Sequence, residues 1–207
     1  MNYKVIADSI KNRKTIRKKV ILSISAGLAL MSFVILEAGT WGLDAAHSRL
    51  GFTTTHMGVS EANGQFDKFD VKISATKEDF SDAVIELTAE AKSINTGLSM
   101  RDDHLRSGDF FDVEKFPTIT FKSITVKKGK GNKLAIVGDL TMHGVTKTVV
   151  LVGKHNGTTK NRAGAPLAGF KMTGLVKRSD FGIGATMPTA VVADEVYLNA
   201  DLEVSKN

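Results

Sequence analysis

Histidines are the residues of this chain best suited to bind a metal or transfer a proton. No two of the five are four residues apart, so no helix would place a pair of them on one face. Neutral histidines at turns and strand ends more often satisfy backbone groups than hold an ion. We therefore predict that the chain has no metal site. The five are His47, His56, His104, His143 and His155.

Other catalytic arrangements are also missing from the sequence. The adjacent acids Asp102-Asp103 and Asp194-Glu195 fall where a helix and a strand are expected to start, which is typical of capping and solvated ends. The chain has no cysteine, no Gly-x-Ser-x-Gly turn and no glycine-rich phosphate loop after a strand. A quinone-linked redox role would need a polar constellation that the sequence does not offer. We predict a protein that is not an enzyme and has no cofactor.

The basic residues are concentrated at the N-terminus. Seven of the 28 lie before residue 20, where Asp8 is the only acid. Residues 41–207 contain 21 basic and 20 acidic residues and are therefore nearly neutral. A nucleic-acid-binding domain would carry its basic surface in the folded part, so nucleic acid is excluded as a partner.

An uncharged apolar stretch, residues 20–36, follows the basic start. This pattern is typical of a secretory signal, although the length also reaches the lower limit for a membrane span. No clear Ala-x-Ala cleavage site follows, so residues 1–40 are expected to be either a signal peptide or an N-terminal membrane anchor. The protein is expected to be periplasmic or secreted, or held at the inner membrane if residues 20–36 are not cleaved.

Beyond residue 40 the hydrophobic pattern has a period of two. Residues 83–91 and 195–204 alternate between apolar and polar side chains, which predicts strands with one buried face and one solvent-exposed face. Asn63-Gly64, residues 127–132 and His143-Gly144 are expected to form turns, and residues 156–165 are expected to form a loop. Strands at this density predict an antiparallel sandwich or barrel.

One segment has a helical signature. Ser99 followed by Asp102 resembles an N-cap with an acid at the third position, and Gly108 could end the helix. We expect a two-turn helix over about residues 100–107, with Asp102 and Arg106 paired one turn apart. Such a helix could cover one end of a barrel.

The apolar, inward faces of the predicted strands include several alanines. Small inward side chains in long strands can leave apolar volume inside a barrel, where one slender ligand could lie. The same faces could instead pack into a solid core, and alternation alone favours that alternative. A solid core would suit a structural or stress-protective envelope protein that acts through protein partners.

Four stretches, in order along the chain, resemble the YceI-like family. They are WGLDAAHSRLGFTTTH at residues 41–56, HLRSGDFFDVEKFPTITFKS at 104–123, GDLTMHGVTK at 138–147 and RSDFGIG at 178–184. Ala193 stands where the family usually has glycine at the start of its last strand.

The resemblance implies an extended antiparallel lipocalin-like β-barrel of about eight strands with one short helix, formed by residues 41–207. Family members bind long polyisoprenoid or related amphiphilic chains, and some form dimers. The expected partner is therefore a lipid, polyisoprenoid or quinone-like, with a homodimer as a further expectation. The family has no agreed catalytic residues, and none is assigned here.

Alternation combined with this barrel yields two sets of site residues. The predicted ligand-lining residues are Phe52, Ile85, Leu87, Phe121, Ile136, Leu140, Met142, Phe170, Met172, Leu198 and Leu202. The second set could form a polar mouth for a lipid head group, or could pin loops to the barrel with the aromatic rings as plugs. Its members are Arg106, Asp109, Phe110, Phe111, His143, Arg178, Asp180 and Phe181.

Overall fold

The computed structural model of the protein describes residues 38–206. The expected signal or anchor helix, including residues 20–36, lies outside the described residues. Within residues 38–206, no helix is long and apolar enough to cross a membrane. The barrel forms a compact unit by itself.

Strands account for most of the secondary structure. Within residues 38–206, one α-helix, α1 (Ser99–Arg106), and three 3₁₀ turns (Ala45–His47, Ala91–Ser93 and Arg178–Phe181) interrupt them. The strands are β1 (Gly39–Leu43), β2 (Arg49–His56), β3 (Ser60–Phe66), β4 (Phe69–Ala75), β5 (Val84–Glu90), β6 (Ile94–Asn95), β7 (Thr118–Lys128), β8 (Lys133–Met142), β9 (Val145–Lys160), β10 (Pro166–Lys177) and β11 (Val192–Lys206).

Eight of these strands close into an antiparallel barrel. The hydrogen-bonded order is β1-β4-β5-β7-β8-β9-β10-β11, and β11 returns to β1 with Trp41 opposite Lys206 and Leu43 opposite Val204. A ring of eight strands encloses just enough space for side chains or one small ligand. The prediction of a closed barrel of about eight strands with one helix is confirmed.

The remaining strands belong to a second, open end of the barrel. A 3₁₀ turn separates β1 from β2, residues 67–68 separate β3 from β4, and another 3₁₀ turn separates β5 from β6. Past these breaks β2 pairs with β11, β3 with β2, and β6 with β3. In the described part of the chain, no ladder joins β6 to β7. The chain between them contains α1, which lies over this break in the ring.

Two of the expected connections were placed wrongly. Asn63-Gly64 lies inside β3, and the hairpin turn is Met57-Gly58, with φ of 54° and 71°. Glycine is needed at residue 64 because a Cβ there would lie 2.3 Å from Cζ of Phe52. The expected loop at 156–165 is shorter, because β9 continues to Lys160. The turns at residues 129–132 and His143-Gly144 agree with prediction.

Helix α1 begins one residue earlier than expected and has a different cap. Leu98 occupies the N-cap and makes no side-chain cap, so the capping role predicted for Ser99 is wrong. Asp102 is buried and accepts hydrogen bonds from the backbone N–H (2.8 Å) and the hydroxyl of Thr96. Arg106 therefore pairs with Asp103, at 2.9 Å, instead of with Asp102. The carboxylate of Asp102 ties the helix to the segment that follows β6.

Gly138 makes room for the aromatic ring of Phe121 on the neighbouring strand. A Cβ at residue 138 would lie 2.4 Å from Cζ of Phe121 and 2.6 Å from the carbonyl oxygen of Lys122. We expect Gly138→Ala to lower the free energy of unfolding by about 1–3 kcal/mol, because the ring or strand must shift. Urea denaturation measures the loss. Gly108→Ala is the control, since nothing lies within 4 Å of its added methyl group; equal stability of the two variants would contradict the argument.

Candidate functional site

The barrel encloses a cavity of about 170 Å³. For scale, an engineered apolar cavity of about 150 Å³ in another protein admits benzene. The lining side chains are almost all apolar and come from seven of the eight ring strands, all except β1, from β2 and β3, and from the α1 segment. Nine of the eleven predicted ligand-lining residues contribute to it: Phe52, Ile85, Leu87, Phe121, Leu140, Met142, Met172, Leu198 and Leu202.

Burial along β11 shows where the lumen is empty. Val196 and Leu198 point inward and yet are only half-buried, whereas Leu202 and Val204, further along the same face, are buried. Leu87 is likewise half-buried between the buried residues Ile85 and Ala89 of β5. An inward side chain that stays accessible must face unfilled space. The lumen is therefore open toward α1 and filled toward the fully hydrogen-bonded end.

Aromatic rings fill the closed end of the barrel. The ring centroid of Phe80 lies 5.2 Å from that of Trp41 and 4.8 Å from that of Phe170, and His155 stacks on Phe170 at 5.1 Å. Phe170 and Ile136, the other two predicted lining residues, are buried and lie outside the cavity lining. Both face inward as predicted, but at a depth where packed side chains leave no room for a ligand.

A second chamber of about 320 Å³ adjoins the lumen at the α1 end. Polar residues enter its lining, among them His56, Glu61, Arg101 and His104. The five residues that line both spaces are Phe52, Thr54, Leu105, Phe110 and Val192. An apolar interior thus continues into a mixed, more polar chamber at the helical end.

Arg178 is buried beside the lumen and uses all of its donors on the backbone. Its guanidinium donates five hydrogen bonds of 2.5–3.2 Å to carbonyl oxygens. The accepting residues are Ile183, Gly184, Met187, Val192 and Ala193. These bonds hold the loop between β10 and β11 against the barrel, and they leave no donor for a ligand.

Arg106 and Asp109 lie on the outside of the α1 segment. Arg106 donates to the carbonyl oxygens of Lys92 and Ile94, at 2.9 and 2.8 Å, in addition to its contact with Asp103. Asp109 is exposed, and its carboxylate lies 3.3 Å from Nε2 of His104. Arg106 therefore fixes α1 to the turn before β6. The two aromatic residues that follow point the other way, into the cavity: Phe110 and Phe111.

His143, Asp180 and Phe181 belong to the turns around the open end. Nδ1 of His143 donates to the carbonyl oxygen of Phe181 at 3.0 Å, and its ring packs edge-on against Phe116. Phe181 is fully buried outside the cavity lining, and Asp180 is exposed. These residues connect the β8–β9 turn to the turn after β10.

The lumen offers apolar contact and shape, with no free polar group. Across residues 38–206, no buried side-chain nitrogen or oxygen lacks a hydrogen-bond partner. A ligand in this cavity would be held by burial of apolar surface, while any polar part of it would be drawn toward the open chamber.

Comparison with protein-family models identifies the domain. The model described as "YceI-like domain" matches residues 41–204. The chain belongs to the YceI-like family. A UPF0312 protein of Photorhabdus laumondii is 35% identical over 180 residues, covering 86% of this chain and 93% of the relative. A UPF0312 protein of Staphylococcus aureus is 40% identical over 141 residues, 68% of this chain and 80% of its own.

Several solved structures share this barrel. The Campylobacter jejuni YceI protein matches with a TM-score of 0.67 at 31% identity, covering 74% of this chain and 90% of its own. BcnA of Burkholderia cenocepacia gives 0.67 at 27% identity over 78% and 98% of the two chains. A domain of Saccharophagus degradans described as polyisoprenoid-binding shares the fold at 17% identity, with a TM-score of 0.61 over 81% and 98%.

A polar cluster in this YceI-like domain fixes the break between β1 and β2. Nδ1 of His47 lies 3.0 Å from the carboxylate of Asp44 and 3.6 Å from that of Glu203. Asp44 also accepts from the N–H of Ala46, and Ser48 exchanges hydrogen bonds with the backbone of Glu203. The three ionisable groups are close enough to share an ion. Their mutual hydrogen bonding and position in a turn account for the arrangement without one.

The same cluster predicts a pH response. The hydrogen bond between Asp44 and His47 raises the pKa of the imidazole above 6.5 and lowers the pKa of the carboxyl below 3.8. The stabilising contribution of His47 is thus present below pH 6.5 and is lost as pH rises through its raised pKa. That of Asp44 is present above pH 3.8 and is lost as pH falls through its lowered pKa. Asp44 and His47 together therefore stabilise the turn most between pH 3.8 and pH 6.5.

NMR titration of the imidazole C–H signals tests this response. In Asp44→Asn we expect the pKa of His47 to move back toward its ordinary value, because the main hydrogen bond to a charged acceptor is lost. The signal of His56, far along β2, serves as the internal control. A His47 titration that is the same in wild type and variant would show that the hydrogen bond does not form in solution.

Several lining residues of the YceI-like lumen were not predicted from the sequence. Alternation could have indicated those that continue the inward face of a strand, such as Leu151 on β9 and Val196 on β11. Leu105 of α1 also lines the cavity and was not assigned to the ligand site. Arg101 of the outer chamber carries no signal of its own in the sequence, because it approaches the barrel only through the packing of α1.

Proposed function

We propose that this domain binds the chain of a polyisoprenoid or similar amphiphilic lipid in the barrel lumen, for carriage, storage or buffering, without catalysing a reaction on it. The observation that carries the proposal is an apolar cavity that continues into a mixed, more polar chamber at one end. Such a gradient suits an amphiphile with its tail inside and its head group at the opening.

The energetics of burial support a lipid tail. Ten methylene or methyl groups moved from water into the lumen would gain roughly 8 kcal/mol before ordering costs. The cavity as it stands accommodates only part of a long chain. The half-buried side chains that face it, Phe52, Leu87 and Leu198, must rotate or move outward to admit more.

Family membership also favours this function. The related domain from Saccharophagus degradans is described as binding polyisoprenoids, and the same tail chemistry occurs in quinone-like lipids. A structural envelope protein with a solid core is the competing proposal, and it would have no use for an empty apolar lumen. The cavity therefore supports lipid binding over that alternative.

Export and assembly are further parts of the proposal. The basic N-terminus and the apolar stretch at residues 20–36 suit a periplasmic or secreted protein, or one anchored in the inner membrane. A homodimer is expected from the family resemblance alone. Cell fractionation and the mass of the exported protein would determine location and cleavage, and light scattering would determine the oligomeric state.

Native mass spectrometry of residues 38–207, purified without detergent, tests lipid binding directly. Organic extraction of the same sample then identifies what the barrel carries. We expect a bound species with the mass of an isoprenoid lipid. A fatty acid or amide would keep the binding site and change the ligand class. A protein that stays empty after incubation with prenyl lipids would overturn the proposal and favour the solid-core protein.

A further inference from the structure

Two turns at the open end expose large apolar side chains. Met57 and Val59 lie in the β2–β3 turn, with 55% and 86% of their surface exposed. Leu98 and Met100 lie at the start of α1, with 54% and 79% exposed. Turn tips are usually polar, because an apolar side chain there gains nothing from folding. We call these four residues the apolar rim.

The apolar rim surrounds the entrance to the lumen. His56 and Ser60, on either side of the β2–β3 turn, line the outer chamber, and so does Arg101, next to Met100. Phe52 and Leu105 line both this chamber and the lumen. The β2–β3 turn and the start of α1 therefore flank the outer chamber, which adjoins the lumen.

Local structure does not account for these residue types. In the β2–β3 turn, the positive φ of residues 57 and 58 favours glycine or asparagine, and Val59 makes no contribution to the core. Leu98 caps α1 without a side-chain hydrogen bond, a position where serine, threonine or aspartate would stabilise the helix. The apolar side chains thus appear at positions where folding favours polar ones.

We propose that the apolar rim inserts into the surface of a phospholipid bilayer, so that the lipid passes between bilayer and lumen without crossing water. This inference rests on the proposed function, since it supplies the route by which the tail enters. A bilayer is the phase in which long apolar chains are stored. Direct contact between its interior and the entrance removes the need to expose the tail to solvent.

The charges behind the apolar rim suit a phospholipid surface. Arg101 donates from Nε and Nη2 to Thr96, and its Nη1 has no partner among residues 38–206. Arg101 follows Met100 directly in α1, so insertion of the rim would bring its guanidinium close to the phosphate groups. Glu61 lines the same chamber, so the attraction to anionic lipid is local to Arg101. Apolar tips with a cation behind them fit a membrane interface better than a protein surface.

Site-specific fluorescence tests whether the rim inserts. Because the chain has no cysteine, Val59→Cys and Met100→Cys can each carry a single environment-sensitive dye. Ile124→Cys is the matched control, since Ile124 is 61% exposed on the barrel wall. Vesicles of phosphatidylcholine and phosphatidylglycerol should shift rim-label emission to the blue and raise it about twofold, with quenching by acyl-chain spin labels. Equal responses at all three positions, or none, would overturn the proposal.

Transfer kinetics test whether insertion serves ligand entry. In the protein that comprises residues 38–207, we combine Val59→Asp with Met100→Asp. This double variant should take up lipid from vesicles about tenfold more slowly than wild type and reach the same final occupancy. Ile124→Asp should transfer at the wild-type rate. Wild-type uptake by the double variant would overturn the proposed route. If the wild type takes up no lipid, the proposed function fails, and the fluorescence result still decides whether the rim binds membranes.

Discussion

Leu87→Arg is expected to abolish lipid retention. Leu87 lies midway along β5, faces the cavity and is half-buried only because the lumen there is empty. A guanidinium at this position would either fill the cavity or bring water into it, since every buried side-chain acceptor within residues 38–206 already has a hydrogen-bond partner. Affinity for a prenyl chain should fall at least about 100-fold, or roughly 3 kcal/mol. The amount of lipid extracted per mole of purified protein measures the effect. Leu140→Arg should cause the same loss of lipid.

The matched control for this change is Thr88→Arg. Thr88 is the next residue of the same strand, lies on the outer face and is opposite Asp70 on β4. The variant should keep its lipid and its melting temperature. A folded Leu87→Arg protein with wild-type lipid content would show that the ligand lies elsewhere.

Arg178→Met is expected to cause the largest loss of stability. Removing the guanidinium takes one donor from each of five carbonyl oxygens, belonging to residues 183–193. Two of them keep another donor, because Gly184 also accepts from the N–H of Met187 and Ala193 from the hydroxyl of Thr54. Leaving buried acceptors unpaired costs about 1–3 kcal/mol each when water cannot replace the donor. With partial access of water, we expect a total loss of about 3–5 kcal/mol. This corresponds to a fall in melting temperature on the order of 10 °C for a domain of this size.

Two further variants separate geometry from charge. Arg178→Lys keeps the charge but has three donors in place of five, so its stability should lie between those of wild type and Arg178→Met. Lys177→Met removes an exposed neighbouring charge and should change little. If Arg178→Met melts normally and instead loses its lipid, Arg178 serves the ligand head group and the structural assignment is wrong.

Sequence alternation predicted which way the side chains face, because a strand directs successive residues to opposite sides. It did not predict how far each inward side chain lies from the open end of the barrel. Ile136 and Leu140 share the inward face of β8, yet Ile136 lies outside the cavity lining and Leu140 is part of it. The difference depends on Phe80, which enters from the segment between β4 and β5 and fills the closed end. No local pattern indicates where that ring will lie.

Polar partners were harder to predict than the barrel itself. Arg178 stood out in the sequence, but its five carbonyl acceptors become neighbours only when the loop before β11 folds around it. The spacing of Asp102 and Arg106 suggested that they form an ion pair. In the structure, the carboxylate of Asp102 instead accepts a hydrogen bond from the backbone N–H of Thr96. The resemblance to YceI-like sequences added what alternation could not, namely that the strands close into one barrel.

The pairing of β1 with β11 has a consequence for the order of folding. β1 pairs with β4 on one side, where Trp41 lies opposite Ile73, and gains its second partner only when the last strand, with Lys206 opposite Trp41, is present. Contacts between residues this far apart in sequence form slowly, because a long loop must close before they are gained. During synthesis, the barrel therefore cannot close until β11 has left the ribosome. For an exported protein, that delay would allow the N-terminal segment to reach the translocation machinery while the rest can still be threaded as an unfolded chain.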